Sequence, residues 1–385
     1  MYPEFLFFAK GMPTKGLLSA FIIYRIIGGI GVGLASAICP MYIAEVSPPG
    51  MRGRLVSWNQ FAIIFGQLVV YFVNLVILGS HVNPVIEGLM VINPEEASWA
   101  TETGWRYMFG SEAVPAGLFS LLICPVPESP RYLVLSGKDT MAFGILERIN
   151  GTSKAEETLL EIKSTAESKT ERMFAYGWLV IFIGIMLSVF QQIVGINAVL
   201  YYAPRIFSDM GMQNPMVQTV VMGVINILFT LVAIFNVEKW GRKPLLISGS
   251  IGMAAGALGV ALTFGSASLK MATMLSILVY SASFMMSWGP VCWVLISEIF
   301  PNTIRGKATA IAVAFQWIFN WAVSSSFVPM FNMETPADAN FGHWFTYGLY
   351  GVMCVIAAIF VWRLVPETKG KTLEDMTALW RNRAD

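Results

Sequence analysis

Glu298-Ile299-Phe300-Pro301-Asn302-Thr303-Ile304-Arg305-Gly306-Lys307 ends one long apolar run of this chain, and Glu45-Val46-Ser47-Pro48-Pro49-Gly50-Met51-Arg52-Gly53-Arg54 ends another. The two stretches share the pattern E-x-x-P-x-x-x-R-G-[RK]. Two apolar runs downstream of each copy, Pro127-Glu128-Ser129 and Pro366-Glu367-Thr368 match as well. A charged motif that occurs twice at the same end of an apolar run, with the same companion downstream, predicts two halves of like orientation in a membrane. Such a parallel repeat has its axis along the membrane normal.

Composition agrees. Of 385 residues, 56% are hydrophobic and 13% charged, about half the charge of a soluble domain, where about 25% is usual. Runs near 17–39, 55–78, 105–125, 174–203, 216–237, 244–265, 271–297, 308–331 and 343–363 are each of the length, about 20 residues, that crosses a hydrocarbon core. Nine spans are therefore expected, the fourth and seventh long enough to break, with Gly195 and Gly289-Pro290 as the weak points for helix. Lysine and arginine in short loops mark the cytoplasmic side. Alternating the loops puts nineteen of them on one face and five on the other, which predicts a cytoplasmic C-terminus and an external Met1.

Several classes drop out. A net charge of +1 without basic and aromatic clustering gives nucleic acid no footprint. Cys39, Cys124, Cys292 and Cys354 lack paired spacing, and His81 and His343 lack neighbours at metal-ligand spacing, so core packing is the expected role of all six and no metal or cofactor is implied. Asn150-Gly151-Thr152 matches a glycosylation acceptor but falls on a loop placed inside the cell. Met1 to Lys15 lacks the parts of a signal peptide. No nucleophile and base pair among the intramembrane polar residues points to an enzyme.

The fourth run is polar where it has no reason to be. Gln191-Gln192-Ile193-Val194-Gly195-Ile196-Asn197 puts three amides at membrane depth, and each unpartnered amide there costs a few kcal/mol. Three together imply a wet cavity or a polar ligand that completes their hydrogen bonds, in preference to simple bridges between helices. Neutral amides suit a neutral hydroxylated solute.

These residues, with Tyr24-Arg25-Ile26-Ile27-Gly28-Gly29, Pro127-Glu128-Ser129-Pro130-Arg131, Gly241-Arg242-Lys243-Pro244 and Pro366-Glu367-Thr368-Lys369-Gly370, resemble the sugar porters of the major facilitator superfamily, bacterial D-xylose/proton symporters among them. The likeness extends over essentially the whole chain. It implies a pyranose at the midplane, touched by Gln67, Gln191, Gln192, Asn197, Asn226, Trp293, Gln316 and Trp317. It implies that Glu45, Arg52, Glu128, Arg131, Arg242, Glu298, Arg305 and Glu367 form a cytoplasmic clasp that gates the conformations. Arg25 matches the arginine that serves proton coupling in such carriers. Gly29-x-x-x-Gly33 suits close helix packing.

The expected fold is thus an all-α membrane protein of the major facilitator type with nine of twelve transmembrane helices. The second copy has Gly241-Arg242-Lys243 upstream, and the matching place before Glu45 would precede Met1, so three N-terminal spans of an ancestral twelve are expected to be absent. The expected division is a three-span amino-terminal bundle (1–125), a cytoplasmic helical linker (126–173), a six-helix bundle (174–365) and a cytoplasmic tail (366–385). The activity the resemblance implies is symport of D-xylose, or another pentose or hexose, with protons across the cell inner membrane by alternating access, as a monomer in a lipid bilayer. The residues leave open xylose or glucose, symport or facilitated diffusion, and a non-transporting or sugar-binding fragment.

Overall fold

A computed structural model describes residues 14–48, 51–79, 103–166, 173–211, 215–301, 303–336, 340–371 and 373–384. Residues 1–13, Pro49-Gly50, His81 and Asn302 lie outside that description. In hydrocarbon each backbone N–H and C=O must be satisfied within its own segment, so apolar runs of this length fold as helices. The first of them are α1 (Thr14–Val46), α2 (Arg52–Gly79), α3 (Trp105–Ser111) and α4 (Ala113–Ile123). Three short helices follow, α5 (Pro130–Leu135), α6 (Asp139–Asn150) and α7 (Thr152–Ala166). The remainder comprises α8 (Trp178–Ile193), α9 (Ile196–Tyr201), α10 (Ala203–Asp209), α11 (Pro215–Trp240), α12 (Arg242–Thr263), α13 (Lys270–Met286), α14 (Trp288–Glu298), α15 (Arg305–Phe331), α16 (Phe341–Leu364) and α17 (Leu373–Ala384).

Eight of the nine expected spans are long apolar helices or helix pairs capable of crossing a membrane. The ninth, 105–125, is divided into α3 and α4. Glu112 between them keeps helical angles, φ −63° and ψ −20°, so the interruption is slight.

The fourth span breaks where expected. Gly195 lies in the left-handed region at φ 87°, which glycine reaches without steric cost. The Tyr350 ring fills the space a side chain would need: a Cβ there would lie 2.4 Å from it. The break leaves the carbonyl of Val194 outside the helical ladder, and the Tyr280 hydroxyl donates to it. The seventh span breaks earlier than expected, at Ser287 (φ −135°, ψ −89°). Pro290 then falls in the first turn of α14, where its missing N–H costs nothing.

Small residues let α12 approach α13 closely. A Cβ at Gly249 would fall 1.7 Å from Ser287 Oγ, and one at Gly256 2.6 Å from the Tyr280 nitrogen. The expected use of Gly29-x-x-x-Gly33 is corrected by the structure. A Cβ at either meets nothing within 4 Å, so no described helix uses that spacing for contact.

Between the long helices, Ser129 caps α5 by accepting from the Tyr132 nitrogen, with Pro130 following it at the helix start. α6 and α7 close on Leu146, Ala155 and Ile162. α17 is pinned by Trp380, fully buried, whose indole donates to the Ile299 carbonyl at 2.8 Å. Cys292 and Cys354 are buried as expected, and Cys39 is half-buried, but Cys124 is exposed; all four are free thiols. His343 packs between Phe264 and Phe331, its ring centroid 4.2 and 4.3 Å from theirs.

The chain divides into two compact units: Met1–Ala35 with Phe65–Pro127 and Pro204–Val221, and Ser36–Ile64 with Glu128–Ala203 and Met222–Asp385. The second holds both copies of the repeated motif. Within it Ala44 of α1 and Val56 of α2 pack on Trp293, Val294 and Val313.

Gly195→Ala puts a side chain where φ is positive and the Tyr350 ring is in the way. A loss of at least about 1 kcal/mol is expected from the backbone alone, and a lowered thermal unfolding midpoint in detergent checks it. A control, Gly306→Ala, meets open space and should leave the midpoint in place.

Candidate functional site

The break at Gly195 turns three amides toward one another. Gln191 and Gln192 are buried in the last turn of α8, and Asn197 follows the break in α9. Gln191 Nε2 donates to the backbone carbonyls of Trp288 at 3.1 Å and Gly289 at 3.3 Å. A carbonyl only accepts, so this pair fixes which end of the amide faces which way. Gln191 Oε1 then accepts from Gln316 Nε2 of α15 and from Gln192 Nε2 at 3.5 Å. Gln192 Oε1 in turn accepts from Asn197 Nδ2 at 2.7 Å and Asn320 Nδ2 at 2.9 Å.

Donation therefore runs inward along the chain of amides and uses N–H groups at each step. An acceptor is left over: Gln316 Oε1 is buried with no hydrogen-bond partner among the described residues. A buried acceptor left unpaired costs about 1–3 kcal/mol. A ligand hydroxyl that donates to it would remove that cost. The cluster is thus neutral and includes one buried acceptor, Gln316 Oε1, open to a hydroxyl hydrogen.

Not every expected contact joins it. Asn226 is buried, but its Oδ1 accepts from Ser281 Oγ at 2.6 Å, which ties α11 to α13. Trp293 is buried in the apolar cluster with Ala44 and Val56. Trp317, next to Gln316 and so about 100° round the helix, is 39% exposed. Gln67 belongs to the other compact unit, where its Nε2 donates to the Tyr71 hydroxyl at 2.8 Å. Arg25, in that same unit, is exposed and holds its guanidinium 5.6 Å from the Phe109 ring centroid, a cation–π arrangement.

The charged ends of the helices form a second constellation. Arg242, 2% exposed, is gripped from two sides. Its Nη1 meets Glu238 at 2.8 Å and its Nη2 meets Glu298 at 3.0 Å. The other oxygen of Glu298 accepts from Thr368 Oγ1 at 2.7 Å. Glu367 accepts from the backbone nitrogens of Arg242 at 3.0 Å and Lys243 at 2.9 Å, so a carboxylate covers the positive end of α12 where Gly241 provides no side-chain cap. Gly241-Arg242-Lys243, Glu298 and Glu367-Thr368, three motifs far apart in sequence, thereby close into one network.

The first motif copy reaches the same place. Gly53 of α2 lies so close that a Cβ would sit 2.5 Å from both Arg242 Nη2 and Glu238 Oε1. Arg52 and Arg305, equivalent in the repeat, each donate to a backbone carbonyl near their own motif copy but at different positions: Arg52 Nε to Ala44 at 3.0 Å, and Arg305 Nη2 to Phe300 at 3.2 Å. Glu45 accepts from Ser129 Oγ. Glu128 is exposed beside them and Arg131 half-buried at the start of α5.

A family model described as sugar (and other) transporter matches residues 6–380. The chain belongs to the sugar transporter family. It is 52% identical to the D-xylose-proton symporter of Escherichia coli (strain K12), over 95% of this chain and 72% of that protein. To the glucose facilitated diffusion protein of Zymomonas mobilis it is 36% identical, over 95% of this chain and 75% of the other. Among solved structures, the proton:xylose symporter XylE bound to 6-bromo-6-deoxy-D-glucose superposes with a TM-score of 0.85 at 48% identity, covering 97% of this chain and 79% of that one. The fold is that of the major facilitator superfamily, and the chain is a member of a family of transporters.

Sequence reasoning missed three members of these networks. Asn320 lies one helical turn beyond Gln316, so it shares that residue's face. Glu238 lies one turn before Arg242, a spacing that signals an ion pair. Thr368 adjoins Glu367, but nothing local says its hydroxyl meets Glu298, 70 residues away.

Removing the charge of Glu298 leaves buried Arg242 with half its compensation, and breaking a buried pair from one side costs about 3–5 kcal/mol. Glu298→Gln should therefore lower the unfolding midpoint far more than Glu128→Gln, whose carboxylate is exposed. Thermal unfolding of both variants checks this, and equal shifts would contradict it.

Proposed function

We propose that this protein is a membrane carrier that moves D-xylose or a related pyranose with protons by alternating access. One observation carries the reading: an uncharged amide network between the interrupted α8–α9 pair and α15, with the Gln316 oxygen buried and unpartnered among the described residues. A sugar hydroxyl is the ordinary group that donates to such an oxygen and accepts from neighbouring amides. The 52% identity to a D-xylose-proton symporter supports the substrate class and the coupling.

In this reading Gln191, Gln192, Asn197, Gln316 and Asn320 hold the hydroxyls. Gln67, Asn226, Trp293 and Trp317 are further sugar contacts. Arg25 serves proton coupling. Glu45, Arg52, Glu128, Arg131, Arg242, Glu298, Arg305 and Glu367 form the clasp, made in one conformation and opened in another. Residues 1–125 act as the amino-terminal bundle, 126–173 as the cytoplasmic linker, 174–365 as the carboxy-terminal bundle and 366–385 as a cytoplasmic tail. The protein sits as a monomer in the cell inner membrane with its C-terminus in the cytoplasm.

The 36% identity to a facilitated diffusion protein supports a second reading, transport without proton coupling. Proteoliposome uptake with an external pH electrode separates the two. Sugar-dependent alkalinisation outside is expected. Sugar entry without a pH change would select facilitated diffusion, and no entry would overturn both.

Gln192→Ala should weaken sugar affinity by about 1–3 kcal/mol, since Asn197 and Asn320 both donate to its oxygen and would lose that partner. Isothermal titration with D-xylose measures it; unchanged affinity would remove the amide network from the site.

A further inference from the structure

The orientation of Gln191 sets the polarity of the whole amide network, and it is set in turn by two carbonyls in the first turn of α14. Those carbonyls follow directly on the break at Ser287, where the regular backbone ladder does not hold α14 to α13. Ser287 itself is tied back to α13, its nitrogen to Phe284 at 3.0 Å and its hydroxyl to Ser283 at 2.6 Å, and the residues that follow it need a further hold. The indole of Trp288 is fully buried there, and its Nε1 donates to Ser250 Oγ at 2.7 Å and to the Leu246 carbonyl at 3.2 Å, both on α12. The approach is possible because Gly249 has no side chain to meet Ser287. The other side of the ring faces Phe190, the residue before Gln191, with centroids 6.5 Å apart at 62°.

We propose that Trp288 is a positioning residue for sugar binding: its indole N–H, anchored on α12, aims its own carbonyl and that of Gly289 at Gln191 and thereby turns the Gln191 oxygen toward Gln316 and Gln192. The proposal rests on the sugar-carrier reading for its consequence, though not for its geometry. A large buried tryptophan also fills space, and that role alone would depend on ring volume. The positioning role depends on the N–H. Trp288→Phe keeps most of the ring and removes the donor; Ser250→Ala keeps the ring and removes the nearer acceptor.

The test uses the full chain in nanodiscs as wild type, W288F, S250A, Q191A and the W288F/Q191A pair. Two quantities are read: D-xylose affinity by calorimetry, and the side-chain amide resonance of Gln191, identified by its disappearance in Q191A. W288F should weaken binding about fivefold, the size of one lost hydrogen bond. S250A should weaken it less. On the Q191A background W288F should add nothing, because its effect passes through Gln191. The Gln191 resonance should move in both W288F and S250A.

Wild-type affinity together with an unmoved Gln191 resonance in W288F would overturn the proposal. So would losses that add in the double variant, since Trp288 would then act elsewhere. If the wild type binds no sugar, the carrier reading fails by itself and the Gln191 resonance still decides the positioning claim. If W288F does not fold, S250A decides it by the same two readouts.

Discussion

A backbone polar group at membrane depth has no water to turn to, and the core of this protein is arranged around two places where the backbone departs from helix. At Gly195 the loose carbonyl of Val194 is taken by the Tyr280 hydroxyl. At Ser287 the start of α14 is held by the Trp288 indole, and its first carbonyls take the Gln191 amide. Each unsatisfied group would cost several kcal/mol in hydrocarbon. The partners that prevent that cost are the residues that shape the polar cluster. The break at Ser287 and the orientation of the amides are one structural event, because the first carbonyls of α14 fix the direction in which Gln191 donates.

The charged network follows other physics. An exposed ion pair contributes at most about 1 kcal/mol, but Arg242 and Glu298 are buried, and Arg242 has a second carboxylate, Glu238. Burial makes the pair costly to separate and so suits it to hold one arrangement of the chain firmly. Gly53 brings the first copy of the repeated motif against that cluster. A network shared between two repeats can bias a two-state equilibrium more strongly than a surface pair does.

Much of this was written in the sequence in plain form. The repeated E-x-x-P-x-x-x-R-G motif marks both halves, and the Gln-Gln-x-x-Gly-x-Asn run announces both the amides and their break, because only glycine reaches φ 87° at no cost. Other features depend on distance in space. Ser287 carries no local signal of a break; what lies against it there, Gly249 of α12, comes from a distant segment. The closure of Glu298 on Thr368 depends on packing between distant segments. Asn320 and Glu238 were within reach, each a turn from a residue already singled out. Gly29-x-x-x-Gly33 misled because a spacing tells which face is small without telling what lies opposite it. Cys124 misled likewise, since in a membrane protein an apolar neighbourhood can face outward.

The central claim is that the amide cluster would meet a sugar hydroxyl as an acceptor through the Gln316 oxygen, which is unpartnered among the described residues. Titration of the protein with deoxy and deoxyfluoro analogues of D-xylose, one ring position at a time, tests it directly. Fluorine can accept a hydrogen bond weakly but cannot donate one. The account predicts at least one position where the fluoro sugar binds as poorly as the deoxy sugar. Fluoro analogues that recover the parent affinity at every position, while deoxy analogues do not, would show a donating site and contradict it.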